Sequence, residues 1–223
     1  MVRTKLQRFA ENSKRHNVIE PGKDIYEKIK GNWHKDFFNN NNPITLELAC
    51  GRGEYTVGLA RVFNGRNYIG VDIKGDRIWK GSGIALDEGL DNVAFLRTQI
   101  LLIERFFEKG EVDEIWITFP DPRPKDRDEK RRLTHPRFLD IYRSILKPGG
   151  TLHLKTDNTG LFEYTLEVLQ QQEAISDLVY TRDLYKSDML ADHHGIRTRY
   201  EKKFHEKGED IKYLKLSLLD KTE

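Results

Sequence analysis

The chain has 223 residues, of which 33% are charged and 37% hydrophobic, and its formal net charge is +2. That length suits one substantial domain with a sizeable core, and no apolar run approaches the ~20 residues that a membrane span needs. The single cysteine, Cys50, excludes an internal disulfide and fits a reducing compartment. The N-terminus, MVRTKLQRFAENSKRH, lacks the apolar core of a secretory signal, so a cytoplasmic protein is expected. A net charge this small does not identify a nucleic-acid partner; the distribution of charge carries more information.

Residues 1–43 are polar and basic and close with NNNNP. They read as a partly flexible arm packed at Phe9, Ile25 and Tyr26, which is either a loose tail or a basic arm that helps hold an anionic partner. Residues 44–223 read as one domain. Its pattern begins with a strand over Ile44–Cys50 and a glycine turn into a helix. A strand over Asn67–Ile73 precedes a helix over Asp76–Glu88. A third strand over Asn92–Arg97 leads to a short helix around Leu101–Phe107, and a fourth strand spans Glu114–Phe119. Beyond a proline-rich loop, PRFLDIYRSILKPGG gives a helix with a Pro-Gly-Gly stop. A fifth strand covers Thr151–Thr156, TGLFEYTLEVLQQQ gives another helix, and IKYLKLSLL alternates as a late strand. Strands alternating with helices over short links specify an α/β fold, with parallel βαβ units and helices on both faces.

In such a sheet, ligands bind at the carboxyl ends of the strands. The first strand ends in ELACGRGEY, where Gly51 and Gly53 permit a tight turn and close approach to a ligand; an ordinary βα turn has the same signature. The third glycine of a dinucleotide fingerprint is missing, which disfavours a nicotinamide dehydrogenase. Glu47, at the end of that strand, repels a pyrophosphate and attracts a cation. Asp72 closes the second strand, where an acid hydrogen-bonds ribose hydroxyls or caps a helix. Together they favour a nucleoside carrying a positive group, and S-adenosylmethionine fits because its sulfonium and ammonium are both cationic.

The fourth strand runs into FPDPRPKDRDEKRRL (Phe119–Leu133). Pro120 and Pro122 restrict the turn that holds Asp121, so Asp121 reads as a fixed carboxylate beside a reacting base, with a structural loop as the plainer reading. The following charge run reads as an RNA phosphate contact through Arg127, Lys130, Arg131 and Arg132, or as a solvated helix face paired with Asp126, Asp128 and Glu129. Adjacent His193 and His194 have no acid or cysteine at ligand spacing, so no metal site is expected.

The set ELACGRG, YIGVDIK, FPDPRPKDRDEKRRL, KTDN and TRYEKKFHEKGEDIKYLKL resembles the bacterial tRNA (guanine-N7)-methyltransferase family, in order from about Phe9 to Leu218. The glycine loop alone would match any class I methyltransferase; the PDPxxK segment, the RR after it and the late TxYE are specific to this family. The resemblance implies a Rossmann-like class I methyltransferase with a mostly parallel seven-stranded sheet. It implies S-adenosylmethionine as donor and tRNA as partner, with methylation at N7 of guanine 46 in the variable loop. By position it assigns Glu47, Asp72, Gln99 and Asp121 to the donor site, and Asp121 also to catalysis. Lys125, Asp157 and the run Thr198, Arg199, Tyr200, Glu201 match substrate-binding positions. Thr198, Tyr200 and Glu201 combine hydroxyls, an aromatic face and a carboxylate, which suits gripping a flipped base. Asp157 also reads as a helix N-cap. Position 123 is arginine where the family usually has tryptophan, Cys50 departs from its usual glycine-loop pattern, and Gln99 carries no charge. A methyltransferase acting on another RNA base, and a noncatalytic RNA-binding protein on the same scaffold, are the competing readings; Glu47, Asp72 and Asp121 together argue against the second. A monomer and a homodimer are both open.

Overall fold

A computed structural model describes residues 3–221, so the outermost two residues at each end of the expected arm and domain lie outside the described part. One eight-stranded sheet organises the chain. Its strands are β1 (Val18–Ile19), β2 (Ile44–Leu48), β3 (Asn67–Asp72), β4 (Val93–Arg97), β5 (Val112–Thr118), β6 (Leu146–Thr156), β7 (Ile175–Thr181) and β8 (Lys212–Leu218), in the spatial order β1-β4-β3-β2-β5-β6-β8-β7. Pairings from β1 through β6 are parallel, and β8 is antiparallel to both β6 and β7. Seven of these strands form the expected sheet, and β1 adds a two-residue edge strand. The order reverses at β2, whose neighbours are β3 on one side and β5 on the other. A crevice opens at the carboxyl ends where successive connections leave in opposite directions.

Period-two alternation sorts the strand residues. Leu46, Leu48, Ile69, Val71, Leu96, Ile115, Ile117, Leu152 and Leu154 bury one face in the larger apolar cluster. Beside that cluster lie α4 (Pro136–Ile145) and α5 (Thr159–Gln170). The other face presents Tyr68, Phe95, Trp116 and Tyr213, and the same alternation sends Glu47, Thr118 and Lys155 to it. Covering that face are α2 (Glu54–Val62), α3 (Gly75–Asp87) and the excursion between β7 and β8, which contributes Leu184, Tyr185, Met189, Ile196 and Phe204. α6 (Arg199–His205) belongs to this excursion.

The first 43 residues, expected as a partly flexible arm packed at Phe9, Ile25 and Tyr26, make several ordered contacts with the domain. Helix α1 (Lys5–Asn12) packs on α3, and the buried Asn12 side chain donates to the Gly75 carbonyl at 2.7 Å. Trp33 is fully buried, lies parallel to the Phe107 ring at 5.3 Å, and donates from Nε1 to the Phe106 carbonyl at 2.8 Å. Phe9, Ile25 and Tyr26 are partly buried as expected, with Tyr26 4.7 Å from the Phe106 ring. The segment therefore covers part of the larger core. Trp33→Ala should lower unfolding free energy by about 3–5 kcal/mol, while Leu6→Ala, at an 82% exposed position, should lower it by less than about 0.5 kcal/mol. Denaturant titration of both variants checks this.

Candidate active site

The crevice beyond β2 and β5 is a cleft of about 660 Å³, within the size range of small-molecule sites. Glu47, Gly51, Asp72, Asp121, Asp157, Thr198, Arg199 and Tyr200 all line it. The chain reaches it by turning sharply after two strands: Ala49 and Phe119 both take left-handed backbone angles, φ 57° and 49°. Non-glycine residues adopt such angles at a cost of roughly 1–3 kcal/mol. The strain falls where β2 and β5 give way to ligand-facing loops.

Glu47 is 3% exposed and accepts hydrogen bonds from the Thr56 amide at 2.8 Å, the Thr56 hydroxyl, and the Thr118 hydroxyl at 2.6 Å. Burial raises its carboxyl to about 7, and these bonds only partly offset the loss of water. Asp72 acts as a brace: Oδ2 accepts from the Gly51 amide at 2.9 Å and Oδ1 from the Lys74 amide at 2.8 Å. Each oxygen keeps a further lone pair for a ligand. At Gly51, φ 57°, an added Cβ would meet open space, so the bare backbone faces the cleft. These residues fit a cationic nucleoside: two carboxylates, one of them buried without a direct cation, beside an open backbone turn.

Gly53 has a different role from the one expected. Its φ is 67° and an added Cβ would fall 2.4 Å from the Phe95 ring, so its missing side chain lets the turn pack on β4. It does not line the cleft, and neither does Gln99, which is exposed at the start of a 3-10 turn after β4.

Asp121 sits at the rim with 63% of its side chain exposed. Its Oδ2 is 3.2 Å from Arg123 Nε, and its Oδ1 accepts from the Arg123 amide at 3.3 Å. An ion pair this exposed is worth about 1 kcal/mol or less, so Arg123 is a displaceable partner. Asp157 lines the cleft with a carboxyl raised by burial. The cap of α5 is Asn158, whose Oδ1 accepts from the Leu161 amide at 2.8 Å, so the N-cap reading of Asp157 is replaced.

The TRYE run divides. Thr198 caps α6 by accepting from the Glu201 amide at 3.1 Å, Arg199 donates its amide to Glu54 at 2.6 Å, and Tyr200 is 41% exposed. Glu201 is fully buried and points away, with Oε2 2.8 Å from Lys155 Nζ and Oε1 2.7 Å from His193 Nε2. It does not line the cleft; Oε1 is hydrogen-bonded inside the protein, while Oε2 has the Lys155 ammonium as an ion-pair partner without a well-aligned hydrogen bond.

The basic run divides too. Lys125, Arg127, Lys130 and Arg131 are exposed, with Arg131 paired to Asp128 at 3.0 Å. None of the four lines the cleft. Arg132 turns inward, donating to the Arg123 carbonyl at 3.2 Å and lying 4.2 Å over the Tyr164 ring. It holds the Asp121 loop, a role that a phosphate contact would compete with. Thr56, Thr118, Lys155 and His193 were not singled out by the sequence for roles at this site. The lysine in TLHLKT was the available signal, since a charge inside an apolar strand needs a buried partner. Among the described residues, no group of three or more His, Cys, Asp or Glu is placed to hold a metal, and no helix is long and apolar enough to cross a membrane.

A doubly wound sheet with acids at its switch point, a glycine turn and no dinucleotide fingerprint defines a Rossmann-like methyltransferase. The family described as "Putative methyltransferase" (Methyltransf_4) matches residues 41–214. The chain is 52% identical over 220 residues to a tRNA (guanine-N(7)-)-methyltransferase from Cytophaga hutchinsonii, covering 98% of this chain and 99% of that protein. It is 46% identical to one from Bacteroides thetaiotaomicron, covering 98% and 87%. The chain belongs to the tRNA (guanine-N(7)-)-methyltransferase family. At the level of fold, the 16S rRNA methyltransferase KamB matches with a TM-score of 0.65 at 14% identity, covering 90% of this chain and 96% of that one.

Glu47 makes stability depend on pH in a definite direction. Its folded carboxyl, at about 7, lies above its ordinary 4.5, so the folded state holds the proton more tightly than the unfolded state. No penalty exists below pH ~4.5; it grows by up to about 1.4 kcal/mol per pH unit and is complete above pH ~7. Other carboxyls titrate in the opposite sense: Glu114, half-buried, is lowered to about 2 because desolvation is outweighed by its bonds to His153 and the nearby Arg66. The comparison is therefore wild type against Glu47→Gln, followed by denaturant titration from pH 5 to 8. The wild type should lose stability relative to the variant as pH rises.

Proposed function

We propose that this protein transfers a methyl group from S-adenosylmethionine to N7 of a guanine in tRNA, at position 46 of the variable loop. The observation that carries this reading is the convergence of Glu47, Asp72, Asp121, Asp157 and Tyr200 on one cleft, in a chain 52% identical to a protein of that name. S-adenosylmethionine supplies an electrophilic methyl on a sulfonium. Glu47 and Asp72 hold that cationic nucleoside, and the Gly51 turn lets it approach the backbone.

Guanine N7 already exposes a lone pair, so no group must remove a proton before attack. The protein's main task is to orient the base in line, an effect worth up to about 7–11 kcal/mol. The methylated ring is cationic. Asp121, fixed between two prolines, stabilises that charge as it develops, and it accepts from the N1–H and amine edge that distinguishes guanine from adenine. For the base to be received, Arg123 must exchange its contact with Asp121. Tyr200, with Phe204 nearly parallel behind it at 6.4 Å, offers an exposed stacking face. Phosphate contacts fall to Arg127, Lys130 and Arg131, and Lys125 stands at the entrance to that segment. The work is assigned to the cytoplasm.

Incubation with unmodified tRNA and labelled donor, followed by mapping of the modified nucleotide, tests the assignment; a label anywhere but guanine N7 would refute it. Asp121→Asn should fold normally and bind donor, yet lose roughly 10²–10³ in kcat at saturating tRNA. Near-normal kcat would reduce Asp121 to a shaper of the turn. Lys130→Ala with Arg131→Ala should weaken tRNA binding and reduce its salt slope by about two; a filter-binding series in salt reads this directly.

A further inference from the structure

Lys155 and Glu201 each have 0% exposed side chain. Breaking such a pair by removing one partner leaves an uncompensated buried charge, whereas removing both charges is often tolerated. The pair lies behind the cleft: neither residue lines it, but Thr118 and Thr198–Tyr200, their neighbours on β5 and at the start of α6, do. Lys155 sits beside Thr118 in the β5–β6 register, and its carbonyl accepts from the Phe119 amide at 2.8 Å. Its ammonium faces the Tyr55 ring at 4.8 Å. Glu201 lies in α6, a helix of seven residues, too short to be stable without tertiary support. Two further groups fasten the same carboxylate: His193 at 2.7 Å and the Tyr185 hydroxyl at 3.0 Å. The three residues before Glu201 line the cleft; the Thr198 hydroxyl accepts from the Glu201 amide and the Arg199 amide donates to Glu54.

We infer that Glu201 is a positioning residue. Held by Lys155, His193 and Tyr185, it draws the first turn of α6 against the sheet, so that Thr198, Arg199 and Tyr200 form the substrate-side wall of the cleft. The glutamate of the TRYE run then serves the base pocket from behind, and Lys155 and His193 belong to the same device. Thr118 contacts the donor-site Glu47, so one strand junction sets both the donor and base walls. This inference rests on the reading that Thr198–Tyr200 receive the base.

The test compares Glu201→Gln, Lys155→Met and the double variant in the full chain. It measures kcat and KM for tRNA, donor affinity by calorimetry, and thermal unfolding. Each single variant should lose about 10- to 100-fold in kcat/KM for tRNA, with donor affinity changed less than about threefold. The double variant should recover most of the loss, since neither charge is left alone. If Glu201 contacts the base instead, Lys155→Met will be near wild type and the double variant as impaired as Glu201→Gln; that result overturns the inference. Where charge variants do not fold, His193→Gln keeps both charges and weakens only the anchor. It should lower kcat/KM for tRNA several-fold, and unchanged tRNA kinetics there would also overturn the inference. Tyr200→Ala separates the two levels. If it leaves tRNA kinetics untouched, the base-wall reading itself fails; if it is impaired while the double variant shows no recovery, only the positioning role fails.

Discussion

A carboxylate at the end of a buried strand is the constraint around which this molecule is arranged. Glu47 stands at the point where the sheet reverses direction, with β3 on one side and β5 on the other. Burial disfavours its charge, and two threonines, one from α2 and one from the end of β5, supply the donors that keep the ionised form accessible. The result is an acceptor short of a full positive partner, in a cleft where water has been partly excluded. Such a group favours a cationic ligand more than an exposed carboxylate would, because the low dielectric strengthens the attraction.

Both walls of the cleft are governed by the same alternation along the strands. The polar residues Glu47, Thr118 and Lys155 fall on the face opposite the large aliphatic cluster. That face is closed by α2, α3 and the excursion between β7 and β8. The excursion adds both apolar cover and the short helix α6. The Asp121 loop is fixed at its far end by Arg132, which is stacked on Tyr164 of α5. The Glu47 turn, the α6 wall and the Asp121 loop thus lean on three different parts of the fold, yet meet at the ends of β2, β5 and β6.

The parts of this design that were legible in the sequence are those with local signals. β2 to β5 are apolar runs set off by turn residues, and the acids fall near strand ends, Glu47 and Asp72 within the last two residues of β2 and β3 and Asp121 and Asp157 just beyond β5 and β6, where the carboxyl-edge rule looks for them. The extent of packing in the N-terminal 43 residues was not legible, because buried groups such as Trp33 and Val18–Ile19 are isolated among polar residues and show no period. β7, with its half-exposed edge pattern, gave no clear strand signal either. The burial of Glu201 was not legible, because TRYE reads as a polar surface run. Its actual partners, Lys155 and His193, are 46 and 8 residues away, and only the tertiary fold brings them together. Arg132 looked identical to its basic neighbours, and its inward turn depends on Tyr164 on another helix.

The central claim is that buried Glu47 is the counter-ion of the methyl donor. Donor binding should pull its carboxyl back down from about 7, and the proton must leave. Calorimetry of S-adenosylmethionine binding near pH 6, repeated in buffers of different ionisation enthalpy, counts that proton. The account predicts a release of about one proton near pH 6, falling through pH ~7 and nearly absent above pH ~8, and the loss of that component in Glu47→Gln. Binding without proton release in the wild type, or identical release in the variant, would contradict it.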